Sequence, residues 1–265
     1  MNPASRPVVL LQTGDTPPAI RARVGNFDRM FFACPGWPGQ NAVRVHVQAG
    51  ERPGRSELYR AAVITGSHDM VTDAPPWSEW LAGWLARAFG EGLPLFGVCY
   101  GHQLLARALG GRVGYLPGGP ELGTMAVSLT EKGKGDPLLA GYPPAFAANL
   151  AHSQTVLEPP PEALVLGGSI RDPHQILGYG SRAWGVQFHP EFDREIMLTY
   201  LDYFAPSPAV DSPPAGDTPE VAELPGRFLE LFEPGRPNRG FPGGLYENGA
   251  RTLDRRAPRQ GRGNK

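Results

Sequence analysis

Two hydrophobic periods alternate along this chain, and the chemistry gathers where one gives way to the other. Val8–Gln12 and residues 61–65 are short continuous apolar runs, stopped by Thr13-Gly14-Asp15 and Gly66-Ser67. That is the pattern of strands buried on both faces. Residues 42–47 alternate instead, with Val43, Val45 and Val47 opposite Arg44, His46 and Gln48, which predicts a half-exposed strand. Pro75-Pro76 suits a first helical turn, residues 77–89 carry the helix, and Gly90 lies beyond its end. A further apolar run at 93–96 precedes a helical pattern at 103–109, closed by Gly110-Gly111. Strands alternating with helices predict a largely parallel sheet covered on both faces.

After Gly111 the runs shorten and read as strands: 125–129, 146–150, 163–166, Ile176–Tyr179 and 183–188. Turns such as Lys132-Gly133-Lys134-Gly135 separate them, so this half predicts β-rich elaboration of the sheet. Residues 195–204 form the last predicted helix, with Ile196, Leu198, Tyr200, Leu201 and Phe204 apolar. From Pro206 the chain turns Pro- and Gly-rich. There only 228–232 has the character to pack, and 251–265 is arginine-rich. The expected organisation is one α/β domain over 1–205, a mixed, largely parallel twisted sheet flanked by helices. A largely disordered, flexible tail is expected over 206–265.

Composition narrows the function. At 265 residues the chain can bury a full core, and its net charge of −1 gives no field toward nucleic acid or membrane. Two cysteines, Cys34 and Cys99, make no disulfide framework and fit a reducing compartment. Residues 1–7 are polar and unlike a signal peptide, and no apolar run nears the ~20 residues of a spanning helix. A cytoplasmic protein is expected. His68, Asp69 and Asp73 lack convincing ligand spacing, so no metal and no cofactor is expected. Trp77, Trp80 and Trp84 read as packing residues, and nothing is assigned to Cys34.

The chemistry lies in Gly97-Val98-Cys99-Tyr100-Gly101-His102, between an apolar run and a helix. A strand, a sharp turn holding a cysteine between glycines, then a helix: this is a nucleophile elbow with a thiol in place of a hydroxyl. A thiol attacks as its thiolate, and a helix N-terminus and a nearby imidazole both favour that form. His189 and Glu191, in Gln187-Phe188-His189-Pro190-Glu191, complete a Cys-His-Glu set. His189 would take the thiol proton and hand it to the leaving amine, and Glu191 would fix the tautomer from the far ring nitrogen. The backbone N–H of Tyr100 and that of Gly66, at the end of its strand, are the candidate oxyanion donors. His102, next to the elbow, reads as packing or hydrogen bonding rather than catalysis.

These residues closely resemble the class I glutamine amidotransferases over roughly residues 8–204. The elbow follows that family's Pro-x-x-Gly-x-Cys-x-Gly-x-Gln at Pro94, Gly97, Cys99, Gly101 and Gln103, and its Gln-Phe-His-Pro-Glu stands at 187–191. The nearest relatives in pattern are the glutaminase domain of GMP synthase and its stand-alone homologues. Thr65-Gly66-Ser67 falls at the oxyanion strand, and residues 151–156 resemble the His-Gly-x-x-Val segment. The resemblance implies attack by Cys99 on the glutamine side-chain amide, release of ammonia, and hydrolysis of a γ-glutamyl thioester. It implies that Gln103, His152 and Ser153 bind the substrate. Ser153 departs from the usual glycine, which implies an altered pocket. Residues 206–265 are too short and polar for an acceptor domain, so ammonia would need a synthetase subunit in trans.

The competing enzyme reading is a γ-glutamyl peptidase or γ-glutamyl-amine hydrolase, which needs no synthetase. Another is a non-catalytic protein that binds γ-glutamyl compounds. The related cysteine-elbow chaperone and protease-like group places its histidine directly after the cysteine, where this chain has Tyr100.

Overall fold

A computed structural model of the chain describes residues 6–204 and 215–233. Its strands are β1 (Val8–Gln12), β2 (Ala42–His46), β3 (Ala61–Ile64), β4 (Leu95–Val98), β5 (Arg112–Tyr115), β6 (Glu121–Leu129), β7 (Ala145–His152), β8 (Gln154–Glu158), β9 (Leu164–Gly168), β10 (Ile176–Tyr179) and β11 (Ala183–Val186). Its helices are α1 (Pro18–Val24), α2 (Phe27–Phe32), α3 (Pro76–Gly90), α4 (Tyr100–Ala108), α5 (Glu131–Lys134), α6 (Arg194–Phe204), α7 (Pro219–Ala222) and α8 (Leu224–Leu231).

The main sheet runs β2-β1-β3-β4-β11-β10-β9-β6-β7, and β5 and β8 form a small antiparallel pair beside it. Neighbours from β2 to β11 are parallel, and those from β11 to β7 are antiparallel. Both faces of the parallel half are covered. Val8, Leu10, Ala61, Val63, Phe96 and Val98 point into one layer with Phe31 of α2, while Val9, Leu11, Ala62, Ile64 and Leu95 point into the other with α3 and α4. Two buried faces leave no polar position to alternate with, which is why these strands read as unbroken apolar runs. β2 lies at the edge of the sheet, and its alternation matches that place. A third cluster joins α1, α2 and α6 through Ile20, Phe27, Phe192, Ile196 and Tyr200. No helix among the described residues is long and apolar enough to cross a membrane.

The boundary expected at residue 205 needs correction. Residues 219–231 form α7 and α8, and Val221, Leu224, Phe228 and Leu229 are buried in the layer that holds Phe96 and Trp184. Phe228 stacks on Phe96 at 5.3 Å and meets Trp184 edge-on at 6.2 Å. The physical reason is spacing: four apolar positions at 221, 224, 228 and 229 make one helical face, and Pro219 and Pro225 sit in first turns, where proline is tolerated. Gly226 permits the contact, because a Cβ there would lie 2.2 Å from Pro35 O. The arginine-rich stretch at 251–265 lies outside the described residues.

Candidate active site

β4 ends at Val98 and α4 begins at Tyr100, so Cys99 alone makes the turn. It does so at φ 50° and ψ −104°, a backbone conformation that a side chain holds only under constraint. The surrounding backbone supplies the constraint. Cys99 N donates to Val186 O at 2.9 Å, and Gly101 N donates to Thr65 O at 3.1 Å. A Cβ on Gly97 would stand 2.5 Å from Gly101 O, and one on Gly101 would stand 2.5 Å from Ile64 O. Strand and helix approach so closely that only glycine fits at either place. His102 is fully buried under the elbow, and Gly185 leaves room for it, since a Cβ there would meet its Nδ1 at 2.4 Å. Burial above all pushes that imidazole down to about 3, so it sits there as a neutral ring.

The segment after β11 brings the second half of the site. His189 N donates to Asn149 O on β7 at 2.8 Å, and its ring lies on Phe192 with centroids 4.1 Å apart and planes 16° apart. Its Nδ1 meets Glu191 Oε1 at 2.8 Å, and both side chains are sealed from solvent. A carboxylate accepts, so Nδ1 carries a proton and Nε2 is the face left for chemistry. Nε2 makes no hydrogen bond to Cys99, whose side chain stands across Gly66 from the same ring. Such bonds are commonly long before substrate arrives. Burial opposes a charged ring, but the charges of Glu191 and Cys99 outweigh it and push His189 well above the usual imidazole range.

Gly66 sits against both groups. A Cβ there would be 3.1 Å from His189 Cε1 and 3.7 Å from Cys99 Cβ. Tyr100 follows Cys99 directly, with its ring stacked on Trp77 and its hydroxyl donating to Ser78 Oγ at 2.7 Å. The structure therefore gathers Cys99, His189, Glu191, Gly66 and Tyr100 at the ends of β3, β4 and β11, outside the carboxyl edge of the parallel strands.

A cavity of about 490 Å³ opens over Cys99, and Gln103, His152 and Ser153 line it. Gln103 Nε2 donates to Gln154 O at 2.7 Å and to Gln187 Oε1 at 2.9 Å, which ties the cavity wall to β8 and the start of the His189 segment. His152 has both ring nitrogens engaged, Nδ1 with Gln154 O at 3.0 Å and Nε2 with Glu121 Oε2 at 2.9 Å. Its ring nitrogens thus serve the protein rather than the cavity. The neighbouring Ala151 O lies 3.9 Å from Cys99 Sγ.

Sequence reasoning missed Glu121. Its carboxylate, fully buried, accepts from Ser169 Oγ at 2.8 Å and Gln175 Nε2 at 2.9 Å besides His152. Burial raises its proton affinity, yet the hydrogen bonds from His152 and Ser169 and the nearby cations outweigh it and hold the carboxyl below its usual range. Glu121, His152 and Asp172 could offer ligand atoms within 4.8 Å of one another. All three already bond to protein partners, Asp172 with Thr155 Oγ1 at 2.6 Å and His174 N at 2.9 Å. Phe192 and Asn149, which hold the His189 ring and backbone, were also missed. They come from a loop and from a strand distant in sequence, and no local signal marks either. Cys34 is buried, and burial first, then the Glu191 charge, pushes its thiol up, so it makes a poor second nucleophile.

Residues 71–201 match the glutamine amidotransferase class-I family, a span that takes in Cys99, His189 and Glu191. The chain thus carries a glutamine amidotransferase class-I domain. Among curated relatives, it is 41% identical over 115 residues to a GMP synthase (glutamine-hydrolysing) of Aeropyrum pernix, a match covering 42% of this chain but only 22% of that protein. It is 28% identical over 206 residues to gamma-glutamyl peptidase 5 of Arabidopsis thaliana, covering 76% of this chain and 82% of the relative. A solved glutamine amidotransferase of Thermotoga maritima superposes with a TM-score of 0.65 at 19% identity, covering 86% of this chain and 99% of the other, a likeness of fold.

Proposed function

We propose that the chain is a cysteine-dependent hydrolase of γ-glutamyl amides, with glutamine as the first substrate to consider. The observation that carries this reading is the His189–Glu191 pair, buried at 2.8 Å and set across Gly66 from a cysteine in a strained turn. With its proton already passed to His189, the Cys99 sulfur would bond to the δ-carbon of the γ-glutamyl amide as the carbonyl π-bond opens to the oxyanion. The C–N bond then breaks, and His189 returns that proton to the leaving nitrogen. Water attacks the thioester, gives a proton to His189, and the C–S bond breaks, releasing glutamate and restoring the thiol. The backbone N–H groups of Gly66 and Tyr100 would hold the oxyanion, and Gln103, His152 and Ser153 would shape the glutamyl site. Ammonia from glutamine would go to a synthetase subunit in trans. No step requires a metal or cofactor.

A second reading, a γ-glutamyl peptidase, is favoured by the longer match. The gamma-glutamyl peptidase relative aligns over 82% of its length, whereas the GMP synthase match covers 22% of that enzyme. The test is release of glutamate from glutamine and from γ-glutamyl dipeptides, alongside labelling by diazo-oxo-norleucine. Glutamine turnover supports the first reading. Turnover of dipeptides alone supports the second. A labelled thiol without turnover of either leaves a binding protein, and absence of both labelling and turnover overturns the hydrolase.

A further inference from the structure

The cavity over Cys99 holds about 490 Å³, within the ~300–1,000 Å³ range of ligand sites, and its lining extends from the proposed glutamyl site at Gln103, His152 and Ser153 to residues 200–204. One wall of it is aromatic. His68 stacks on Tyr200 at 5.7 Å and on Phe204 at 5.6 Å, and Tyr203 meets Phe204 edge-on at 4.8 Å. Tyr203 and Phe204 are 46% and 48% exposed although they line this cavity, so their rings present apolar faces that nothing among the described residues covers.

The charges of the lining are as informative as its rings. Among the described residues, no lysine or arginine lines the cavity. The α-carboxylate of a γ-glutamyl group already meets no lysine or arginine there, so a second carboxylate on the leaving amine would add another uncompensated charge. Two carboxylates line it, and Glu121 is already paired with His152. Asp69 accepts from Gln48 Nε2 at 2.8 Å and has no cationic partner among the described residues. A γ-glutamyl group brings its own ammonium, for which Asp69 is the available carboxylate, so a cationic leaving amine would find no second one. His68 adds no charge to the wall, since burial above all, with the nearby His189, pushes it down to about 4.

Resting on the hydrolase reading above, we infer that the preferred substrates are γ-glutamyl amides whose leaving nitrogen bears an uncharged aromatic or apolar substituent, which seats against His68, Tyr203 and Phe204. Aromatic side chains offer large apolar area with favoured stacked and edge-on geometries, which suits a flat ring and gives little to a small polar group. The rest of the cycle is unchanged: the amine takes the proton from His189 as the C–N bond breaks, and water completes the hydrolysis.

The test compares kcat/KM for four substrates on the full chain: γ-glutamylbenzylamide, glutamine, γ-glutamylglycine and γ-glutamylputrescine. The expected order places the benzylamide at least tenfold above each of the others. The Phe204→Ala and Tyr203→Ala variants should each cut the benzylamide-to-glutamine ratio severalfold. Equal rates across the set, or a lead for glycine or putrescine, overturn the inference. So does an unchanged ratio in both variants, which would assign the rings to a protein surface instead. Labelling of Cys99 by diazo-oxo-norleucine separates the two levels: a labelled thiol with a flat substrate profile sinks only the leaving-group assignment, whereas no labelling and no turnover sink the hydrolase as well.

Discussion

The His189 Nδ1 atom lies 2.8 Å from Glu191 Oε1, in a pocket where neither side chain reaches solvent. The carboxylate favours the protonated ring, and together with Cys99 it overrides the opposing effect of burial. Glu191→Gln removes that charge, so the His189 proton affinity must fall. The alkaline limb of kcat/KM should move to lower pH, and the rate at its optimum should drop by about 10²-fold or more. A pH–rate profile of both proteins checks this, and an unmoved limb would contradict the pairing. Stability carries the same sign. A raised folded-state value makes His189 a stabilising contributor below its unfolded value near ~6.5, and that contribution is lost as pH rises through the higher folded value. The thermal stability gap between the native chain and Glu191→Gln should therefore narrow on the alkaline side.

Cys99 is the one residue that bridges β4 and α4, and it lies beside Gly66 with His189 on the other side. If its sulfur forms the thioester, Cys99→Ser should lower turnover by at least ~10³-fold and abolish covalent labelling by diazo-oxo-norleucine. Cys34→Ser should leave labelling intact, because the Cys34 thiol is buried and held protonated. Intact-mass spectrometry of the three proteins reads the result directly.

The elbow glycines have a steric rather than a chemical role. Gly101→Ala would place a methyl 2.5 Å from Ile64 O, a backbone atom that cannot step aside. A cost of about 1–3 kcal/mol or more is expected, read as a lower denaturant midpoint. Gly83→Ala is the control, since a Cβ there meets only the far end of Arg87 at 3.6 Å.

How much of this was readable in the chain depends on how local each cause is. β1, β3 and β4 are visible because burial on both faces leaves Gln12, at the end of β1, as the only polar residue in them. The elbow is visible because its glycines are fixed by contacts within five residues of one another and with the end of β3, all in a motif of set spacing. His189 and Glu191 are visible as a pair because they lie two apart. Glu121 was not, because its partners His152, Ser169 and Gln175 are 31, 48 and 54 residues away and meet it only through the β7-β6-β9-β10 sheet order. α1 and α2 were not read because they are short and flanked by loops. Of α8 only the apolar stretch at 228–232 was legible, because Pro225 lies in its first turn and Gly226 allows a close approach to Pro35 that no local pattern marks.

Glu121 is the buried carboxylate of the wall that carries His152, and that wall places Ala151 O beside the Cys99 sulfur. Glu121→Ala leaves His152 without its acidic partner and Ser169 and Gln175 without an acceptor. A loss of about 3–5 kcal/mol in unfolding free energy is expected. Because the folded carboxyl is depressed, the stabilisation from Glu121 is present above its unfolded value near ~4.3 and lost as pH falls through the folded value. The native chain and the variant should therefore converge in stability on strong acidification. Denaturant titrations at neutral and acid pH give both numbers, and equal midpoints at neutral pH would show that the network bears no weight.

Phe228 offers the sharpest check on where the domain ends. Its ring is wholly buried between Phe96 and Trp184, and Phe96 lies in the strand that delivers Cys99. Truncating it to alanine removes a large apolar side chain from a filled layer, which typically costs about 3–5 kcal/mol. The urea midpoint of Phe228→Ala should fall accordingly, and a chain ended after residue 204 should fall at least as far, since it also loses Val221, Leu224 and Leu229. If residues 215–233 were an appendage, both changes would leave the midpoint where it is. Their contacts with β4 and β11 argue that the segment is part of the support for the elbow, so the loss of stability should be accompanied by slower labelling of Cys99.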